Sequence, residues 1–443
     1  QGAKAGRKVV VVDRLGLLGG ACLNQGTIPS KTLRAAILDM TGFIQAKYFG
    51  QSAPRGAIAV DELRQRVNKV IEDENRVLTD QNRSNDIDTI FGAARFADAN
   101  TIEVLNQAGE VTETISAEKI LISTGSSPRH PIDLPEHGDL FVDSDIVFQL
   151  NRMPQSLIVL GGGIIGAEYA TMFAALGIEV TLIDRRDDLL RMLDKELNTL
   201  FMEYIVKLGL TLNLGAAIDE LRRSDDGQAE VVLKDGQRLV ADSLFYSMGR
   251  IANVEGLGLD VAGIELDKLG YIPVNEWFQT AKPHIYAAGD VIGPPALAST
   301  SMEQGRLAIL HAMDMQSHPF PEFFPYGIYT IPEISSIGPT EDELSELGVE
   351  YEVGRAHYYE MARGPIAGDT KGLLKLIFDS QSRKVLATHI IGTNATELIP
   401  LGQMAISMGA QVDYFVENIF NYPTFAEGYR IAALNGINKL DGS

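Results

Sequence analysis

Cysteine occurs once among the 443 residues, at Cys22. One thiol excludes an intramolecular disulfide, so the expected setting is a reducing compartment, the cytoplasm. Basic residues are also scarce: 38 lysines and arginines face 59 aspartates and glutamates, a formal charge of −21. That balance argues against nucleic acid or an anionic membrane as partner, because both need a basic face. No apolar run approaches the roughly eighteen residues of a membrane span, and no signal-peptide pattern opens the chain. The seven histidines show no ligand spacing such as H-x-x-x-H, so no metal site is expected. With 45% apolar and 22% charged residues, the composition is that of an ordinary globular protein. The length allows about three domains.

The strongest positive signal is "SLIVLGGGIIGAEYATMFAALGIEVTLIDRR" at 156–186. An apolar strand runs into Gly161-x-Gly163-x-x-Gly166, and a helix follows to about Leu176. Gly177 ends that helix, and a second strand closes on Asp184. This is the dinucleotide fingerprint in its full strand, turn, helix, strand and acid context. Gly161 makes the tight turn, and Gly163 lets backbone N–H groups approach a pyrophosphate. Gly166 lets helix and strand pack closely, and the helix N-terminus faces the anion.

Laying Ala174 on Ala3 exposes a repeat: "AALGIEVTLIDR" falls on "AKAGRKVVVVDR". The helix-ending glycine, a strand valine and the Asp-Arg pair coincide. Residues 1–14 therefore read as the second half of another dinucleotide unit, whose first strand and glycine turn would lie before residue 1. Taken alone, Asp13 could simply end a strand; the repeat favours a second ribose ligand. Two nucleotide sites in one chain suggest a flavin and a nicotinamide. "TAKPHIYAAGDVIG" at 280–293 agrees, since it sets Gly289-Asp290 at the carboxyl edge of a parallel sheet, where such folds bind ligands. "LISTGSSPRHP" at 121–131 ends a strand with Thr124, Gly125 and Ser126, small enough for close backbone approach to a ligand.

These segments, with "GGACLNQGTIPSK" at 19–31, "FGAARF" at 91–96 and "NYPTFAEGYRIAALNG" near the C-terminus, carry a resemblance. The chain resembles the two-dinucleotide-domain flavoproteins that include glutathione reductase and lipoamide dehydrogenase. The resemblance implies an α/β fold: two Rossmann-like dinucleotide domains and a C-terminal α+β dimerisation domain. The first strand and glycine turn of the FAD domain are missing from this chain, and a form without them is expected to hold FAD poorly. The implied FAD domain covers 1–149 and 266–320, the NAD(P) domain 150–265 and the dimerisation domain 321–443. "NRMPQS" at 151–156 reads as a linker, and "VDELRQRVNKVIEDENRVLTDQNRSN" at 60–85 as a long amphipathic helix packed on the body.

Most members of that family carry "GGxCLNxGCxPSK" and a histidine before Pro-Thr near the C-terminus. Here the second cysteine position is Thr27 and the histidine position is Tyr422, while Glu427 remains. A hydroxyl cannot exchange with a disulfide, and a phenol with an ordinary pKa near 10 is a poor base at neutral pH. The double departure is similar to one branch of the family, the soluble pyridine nucleotide transhydrogenases. It implies hydride transfer from NADPH to NAD⁺, reversibly and in ping-pong order, through FAD and without a redox disulfide.

By the same resemblance, Lys31 pairs with Glu168 beside the flavin as the catalytic pair, and Cys22, Thr27, Tyr422 and Glu427 line the flavin face. FAD is expected on Asp13, Arg14, Gly19, Gly20, Ala21, Cys22 and Lys31, then on Gly92, Ala93, Thr124, Gly125 and Ser126, and finally on Gly289, Asp290 and Ala298. NAD(P) is expected on Gly161, Gly163, Ile165 and Gly166, with Glu168, Asp184, Arg185, Arg186 and Gly249. Asp184 favours the ribose hydroxyls of NADH. Arg185 and Arg186 either clamp the 2′-phosphate of NADPH or are solvated surface charges. The implied partners are NAD(H), NADP(H) and a second copy of the chain. Two rival readings use the same parts: a diaphorase or oxidase that passes electrons to quinones, dyes or oxygen, and a nucleotide-binding redox sensor without turnover.

Overall fold

The computed structural model describes residues 1–42, 60–131, 134 and 138–442; His137 lies outside them. Five parallel strands build the middle of the chain, in the order Thr211–Leu214, Glu179–Asp184, Ser156–Leu160, Ser243–Tyr246 and Phe141–Val142. Parallel strands covered on both faces read as continuous apolar runs, and these do. Leu157 and Val159 point into one buried cluster with Ala167, Ala170 and Phe173 of the helix Ile164–Ala175. Ile158 and Leu160 point the other way, against Ala229 and Val231 of the antiparallel strands Ile218–Arg223, Ala229–Leu233 and Arg238–Ala241. Strand order reverses beside Ser156–Leu160, so Gly161 leaves the sheet at a topological switch point.

The repeat is visible in three dimensions. Gly6 and Gly177 have φ of +75° and +83°, and each donates its N–H to the residue three back, Ala3 and Ala174, at 2.9 Å. The strand Val9–Asp13 then runs parallel to Ile87–Phe91, as Glu179–Asp184 runs parallel to Thr211–Leu214. A second parallel pair, Ile120–Ile122 with Ile285–Ala287, leads to Gly289 and Asp290. The helix Val60–Ser84 lies on the helix Thr27–Thr41 and buries only Leu63 and Val67, matching its charged, amphipathic sequence. Ser126–Pro128 and Arg250–Ala252 pair antiparallel, on either side in sequence of the five-stranded unit's central strand.

The C-terminal part is an antiparallel sheet in the order Tyr326–Ile328, Ile334–Ile337, Val385–Ile391, Leu373–Asp379 and Tyr351–His357. Its helices Ala395–Ser407 and Glu427–Asp441 join an apolar cluster with Leu374, Leu376 and Phe378. The other face carries a polar row, because Ser336, His389, Lys375 and Arg355 stand opposite one another on four successive strands. Lys375 is only 1% exposed. Its ammonium lies 2.7 Å from Asp194 and 3.1 Å from Glu196, and also contacts Glu341. Arg355 donates to both oxygens of Glu196 at 2.8 and 2.9 Å. Asp194 also caps the helix Lys195–Leu208 by accepting from the Glu196 N–H. The three carboxylates resemble a metal site in spacing, and Lys375 stands among them as their cation. Burial opposes ionisation of Asp194, yet its bond to Lys375 and the nearby charges outweigh that and hold its carboxyl below the ordinary range.

Removing one partner of a buried ion cluster leaves charge uncompensated, at a cost of about 3–5 kcal/mol. Lys375→Met is expected to destabilise the fold by that amount in denaturant unfolding at neutral pH. The penalty should shrink in acid, because the low pKa of Asp194 makes its contribution present above the ordinary carboxylate value of about 4 and lost as pH falls through the folded value. A loss below about 1 kcal/mol at neutral pH would show the cluster to be dispensable.

Candidate functional site

The glycine turn shows why each glycine is where it is. A Cβ on Gly166 would lie 1.8 Å from the Gly161 carbonyl oxygen and 2.6 Å from Ser247 Oγ, so strand and helix approach as closely as backbone permits. Gly161 itself has φ +97° and backs onto the Ser247 carbonyl. Gly163 is different: its φ of −74° suits any residue, and a Cβ there meets nothing within 4 Å. The chain does not need that glycine for itself, and it leaves open space at the start of the helix Ile164–Ala175, which includes Ile165, the place where helix N–H groups receive an anion in dinucleotide folds. Asp184, 6% exposed, accepts the Gly162 N–H at 2.6 Å. It also accepts the Arg186 N–H and two guanidinium hydrogen bonds from the same residue. Burial works against this carboxylate, but the donors outweigh it and keep it below the usual range. Arg185 points to solvent. Gly249 turns with φ +98° and accepts the Arg129 N–H.

Lys31 and Glu168 are 137 positions apart in sequence and meet at 2.6 Å. Lys31 sits near the start of Thr27–Thr41, and Glu168 in the second turn of Ile164–Ala175. The segment 329–333 crosslinks both helices. The Tyr329 N–H donates to Glu168 at 2.8 Å, and the Tyr329 ring lies 4.9 Å below the Lys31 ammonium. The Ile331 N–H donates to Thr171. Arg34, one turn beyond Lys31, donates to the Thr330 carbonyl and pairs with Glu333 at 3.1 Å. Glu168, 4% exposed, is therefore a buried carboxylate with both oxygens satisfied.

Cys22, in the short helix Gly20–Asn24 with Ala21, is hydrogen-bonded to Thr27 and feels the charges of Asp290 and Lys31. Burial dominates and pushes its thiol pKa up. Gly19 and Gly20 open that helix with φ of +89° and +54°. Asp13 receives the N–H groups of Leu15 and Gly16 on one oxygen, Oδ1, and Arg14 is exposed. The backbone N–H of Gly92, just before the strand Ala93–Phe96, donates to the Asp13 carbonyl. Thr124 and Gly125 are tied to Asn253. Ser126 opens a new strand and donates to Asp290 at 2.6 Å. Gly289 donates to Gln304, on the helix Ala298–Ala312 that Ala298 opens.

Lys31, Glu168, Cys22, Thr27 and Asp290 thus converge. Among the described residues, Tyr422 and Glu427 share no hydrogen bond or ion pair with these five. Tyr422 is 71% exposed and makes no hydrogen bond among the described residues, while Glu427 opens the last helix with a buried, unpartnered Oε2. Two residues that the sequence reading passed over matter here. Tyr329 supports the ion pair with a ring and a backbone N–H. Arg250 donates twice to Ser126 at 2.7 Å and lies 3.6 Å from Asp145 and 4.0 Å from Asp290. The Gly249-Arg250 pair just after an apolar strand was the available signal.

Glycine substitutions separate folding from binding in this turn. Gly163→Ala is expected to leave stability within about 0.5 kcal/mol and to weaken NAD⁺ binding by about tenfold or more, read by calorimetric titration. Gly166→Ala is expected to destabilise by about 1–3 kcal/mol or more in denaturant unfolding. Equal stability losses in the two variants would contradict this division.

Comparisons with known proteins show the family. A family profile described as pyridine nucleotide-disulphide oxidoreductase matches residues 1–305, and its dimerisation domain matches residues 324–433. A soluble pyridine nucleotide transhydrogenase of Mycobacterium bovis is 43% identical over 441 residues, 99% of this chain and 94% of that protein. One from Yersinia pestis is 39% identical over the same shares. Among solved structures, LpdA from Mycobacterium tuberculosis superposes with a TM-score of 0.90 at 25% identity, covering 98% of this chain and 95% of that one. The HOCl-induced flavoprotein disulfide reductase RclA from Escherichia coli gives 0.85 at 26% identity, covering 98% and 95%.

Proposed function

Because this chain belongs to the pyridine nucleotide-disulphide oxidoreductase family, we propose that it is a transhydrogenase moving hydride reversibly between NADPH and NAD⁺, with FAD as resident cofactor. The observation that carries this reading is Cys22 beside Thr27: the one thiol of the chain has a hydroxyl for its neighbour where a disulfide reductase needs a second sulfur. FAD, when bound, supplies the two-electron chemistry by accepting hydride from one nicotinamide and giving it to the other. No side chain has to exchange with sulfur, and Tyr422, exposed in the chain, need not act as a base. The relatives named as transhydrogenases at 39–43% identity support the same reading.

Each residue then has a bounded task. The Gly161–Gly166 turn and Asp184 hold the exchanging dinucleotide, with Gly249 beside them. Lys31 brings a positive charge to the flavin edge, and Glu168 fixes its position through a 2.6 Å bond. Cys22 and Thr27 wall the far face, and Asp13, Ser126–Asp290, Gly289 and Ala298 hold the remainder of the FAD. The domain limits are those given by the sequence: FAD in 1–149 and 266–320, NAD(P) in 150–265, and dimerisation in 321–443. Two chains pair through the last of these, with Tyr422 and Glu427 at the boundary, in the cytoplasm. Among the described residues no helix is long and apolar enough to cross a membrane.

A double-mixing experiment tests the relay. Flavin-loaded protein is reduced with NADPH, freed of NADP⁺ and mixed anaerobically with NAD⁺; the flavin spectrum should return to the oxidised form within the turnover time. A flavin that stays reduced against NAD⁺ but reoxidises with quinone or oxygen would replace the transhydrogenase with a diaphorase or oxidase. Lys31→Met is expected to slow flavin reduction by about 100-fold, the usual loss when an oriented charge at the reacting centre is removed.

A further inference from the structure

The carboxylate of Asp184 is fully subscribed, and its donors fall into two kinds. A carboxylate offers about four lone-pair sites. Two are taken by backbone N–H groups that the fold fixes, Gly162 on Oδ2 at 2.6 Å and Arg186 on Oδ1 at 2.8 Å. The other two are taken by the Arg186 side chain, Nε on Oδ1 and Nη2 on Oδ2, both at 3.1 Å. The first pair cannot leave without unmaking the turn. The second belongs to a side chain that is 41% exposed, and its departure breaks no backbone hydrogen bond.

A vicinal ribose diol has two hydroxyl donors, the same number that Arg186 contributes. The adenosine ribose of NADH can therefore take the place of the guanidinium on Asp184, bond for bond. NADPH lacks one of those hydroxyls and carries a 2′-phosphate there instead, an anion that a bare carboxylate repels. An arginine just released from that carboxylate is a planar fork suited to phosphate and already within reach.

We infer that Arg186 is the residue that lets one site accept both nucleotides: it leaves Asp184 when either adenosine ribose arrives and, once displaced, binds the 2′-phosphate of NADPH. The inference rests on the transhydrogenase reading for its purpose, though the binding exchange can be measured without it. The internal repeat offers a control within the molecule. In the register that lays Asp184 on Asp13 and Arg185 on Arg14, Arg186 falls on Leu15. Among the described residues, no ammonium or guanidinium pairs with Asp13 as Arg186 pairs with Asp184. The unit assigned to a resident cofactor lacks the exchangeable cation, and the unit assigned to exchanging substrates has it. Arg185, exposed and without an ion pair among the described residues, is not the partner of Asp184.

The exchange predicts opposed effects from one substitution. In Arg186→Ala, NADP⁺ should bind about 30-fold more weakly, the usual scale for a lost charge-assisted pair. NAD⁺ should bind about threefold more tightly, because its ribose no longer competes with the guanidinium for Asp184. Calorimetric titration of the full protein with NAD⁺ and NADP⁺ reads both constants. Two constants that weaken together, or that both stay put, overturn the proposal. So does an NADP⁺ loss that follows Arg185→Ala and spares Arg186→Ala. Hydride exchange in the unaltered protein is scored separately. Opposed shifts without hydride exchange keep the switch and refute the relay, while parallel shifts with hydride exchange do the reverse.

Discussion

One ion pair gathers the three parts of this molecule. Lys31 belongs to the first part, Glu168 to the part built on the five parallel strands, and the Tyr329 N–H that completes Glu168 to the third. A carboxylate that is 4% exposed is tolerable only when its charge is matched and its lone pairs are used. Glu168 meets both conditions only when all three parts are in place. The surrounding bonds repeat the logic, with Arg34 reaching Thr330 and Glu333, and Thr171 receiving Ile331. A shift of either helix would break a set of polar contacts together, so the position of the Lys31 charge is fixed by the packing of the whole molecule.

The second tie, at Lys375, uses the same physics with more charges. Lys375 stands in a strand that is otherwise apolar up to its closing Asp379, and its neighbours across the sheet, His389 and Arg355, extend a polar row toward Asp194 and Glu196. Burial lowers the pKa of His389. Together with the junction at Glu168, the part of the chain that carries the five parallel strands is tied to the C-terminal part through two sets of polar contacts. That arrangement limits how far the glycine turn can move relative to Lys31, and fixed distance between a nucleotide's phosphates and its reacting ring is what positioning for hydride transfer demands.

How much of this was legible in the chain depends on whether a feature is local. The glycine turn was, because strand, turn, helix and acid follow one another within a single unit; Gly161 and Gly166 answer a steric demand, while Gly163 leaves open space. The repeat was as well: the agreement of Gly6 with Gly177 in φ and hydrogen bonding follows from residues that align by eye. The Lys31–Glu168 pair was reached only through family resemblance, since nothing in spacing connects residues so far apart. Tyr329 escaped altogether because half of its contribution is a backbone N–H, which every residue but proline owns. Lys375 left a trace that went unread: a lysine inside "GLLKLIFDS" is an expensive residue in a buried strand and implies carboxylates nearby.

Between Arg185 and Arg186 the sequence could not choose, and the reason is geometric. Both follow the strand-ending Asp184, and only the path of the backbone after it decides which side chain folds back. The carboxylate accepts the Arg186 N–H, which turns the chain and brings that residue's guanidinium over the same oxygens. At Asp13 the equivalent N–H, that of Leu15, makes the same turn at 2.8 Å, but an isobutyl group follows it. The two units therefore share a backbone device and differ in what that device presents. Fixing a carboxylate with backbone donors costs the same in either unit; adding a side-chain donor makes the site one that must be vacated to be filled. A cofactor that stays bound gains nothing from such an arrangement. A site that has to receive two nucleotides differing by one phosphate gains a cation available to the one and withdrawn from the other.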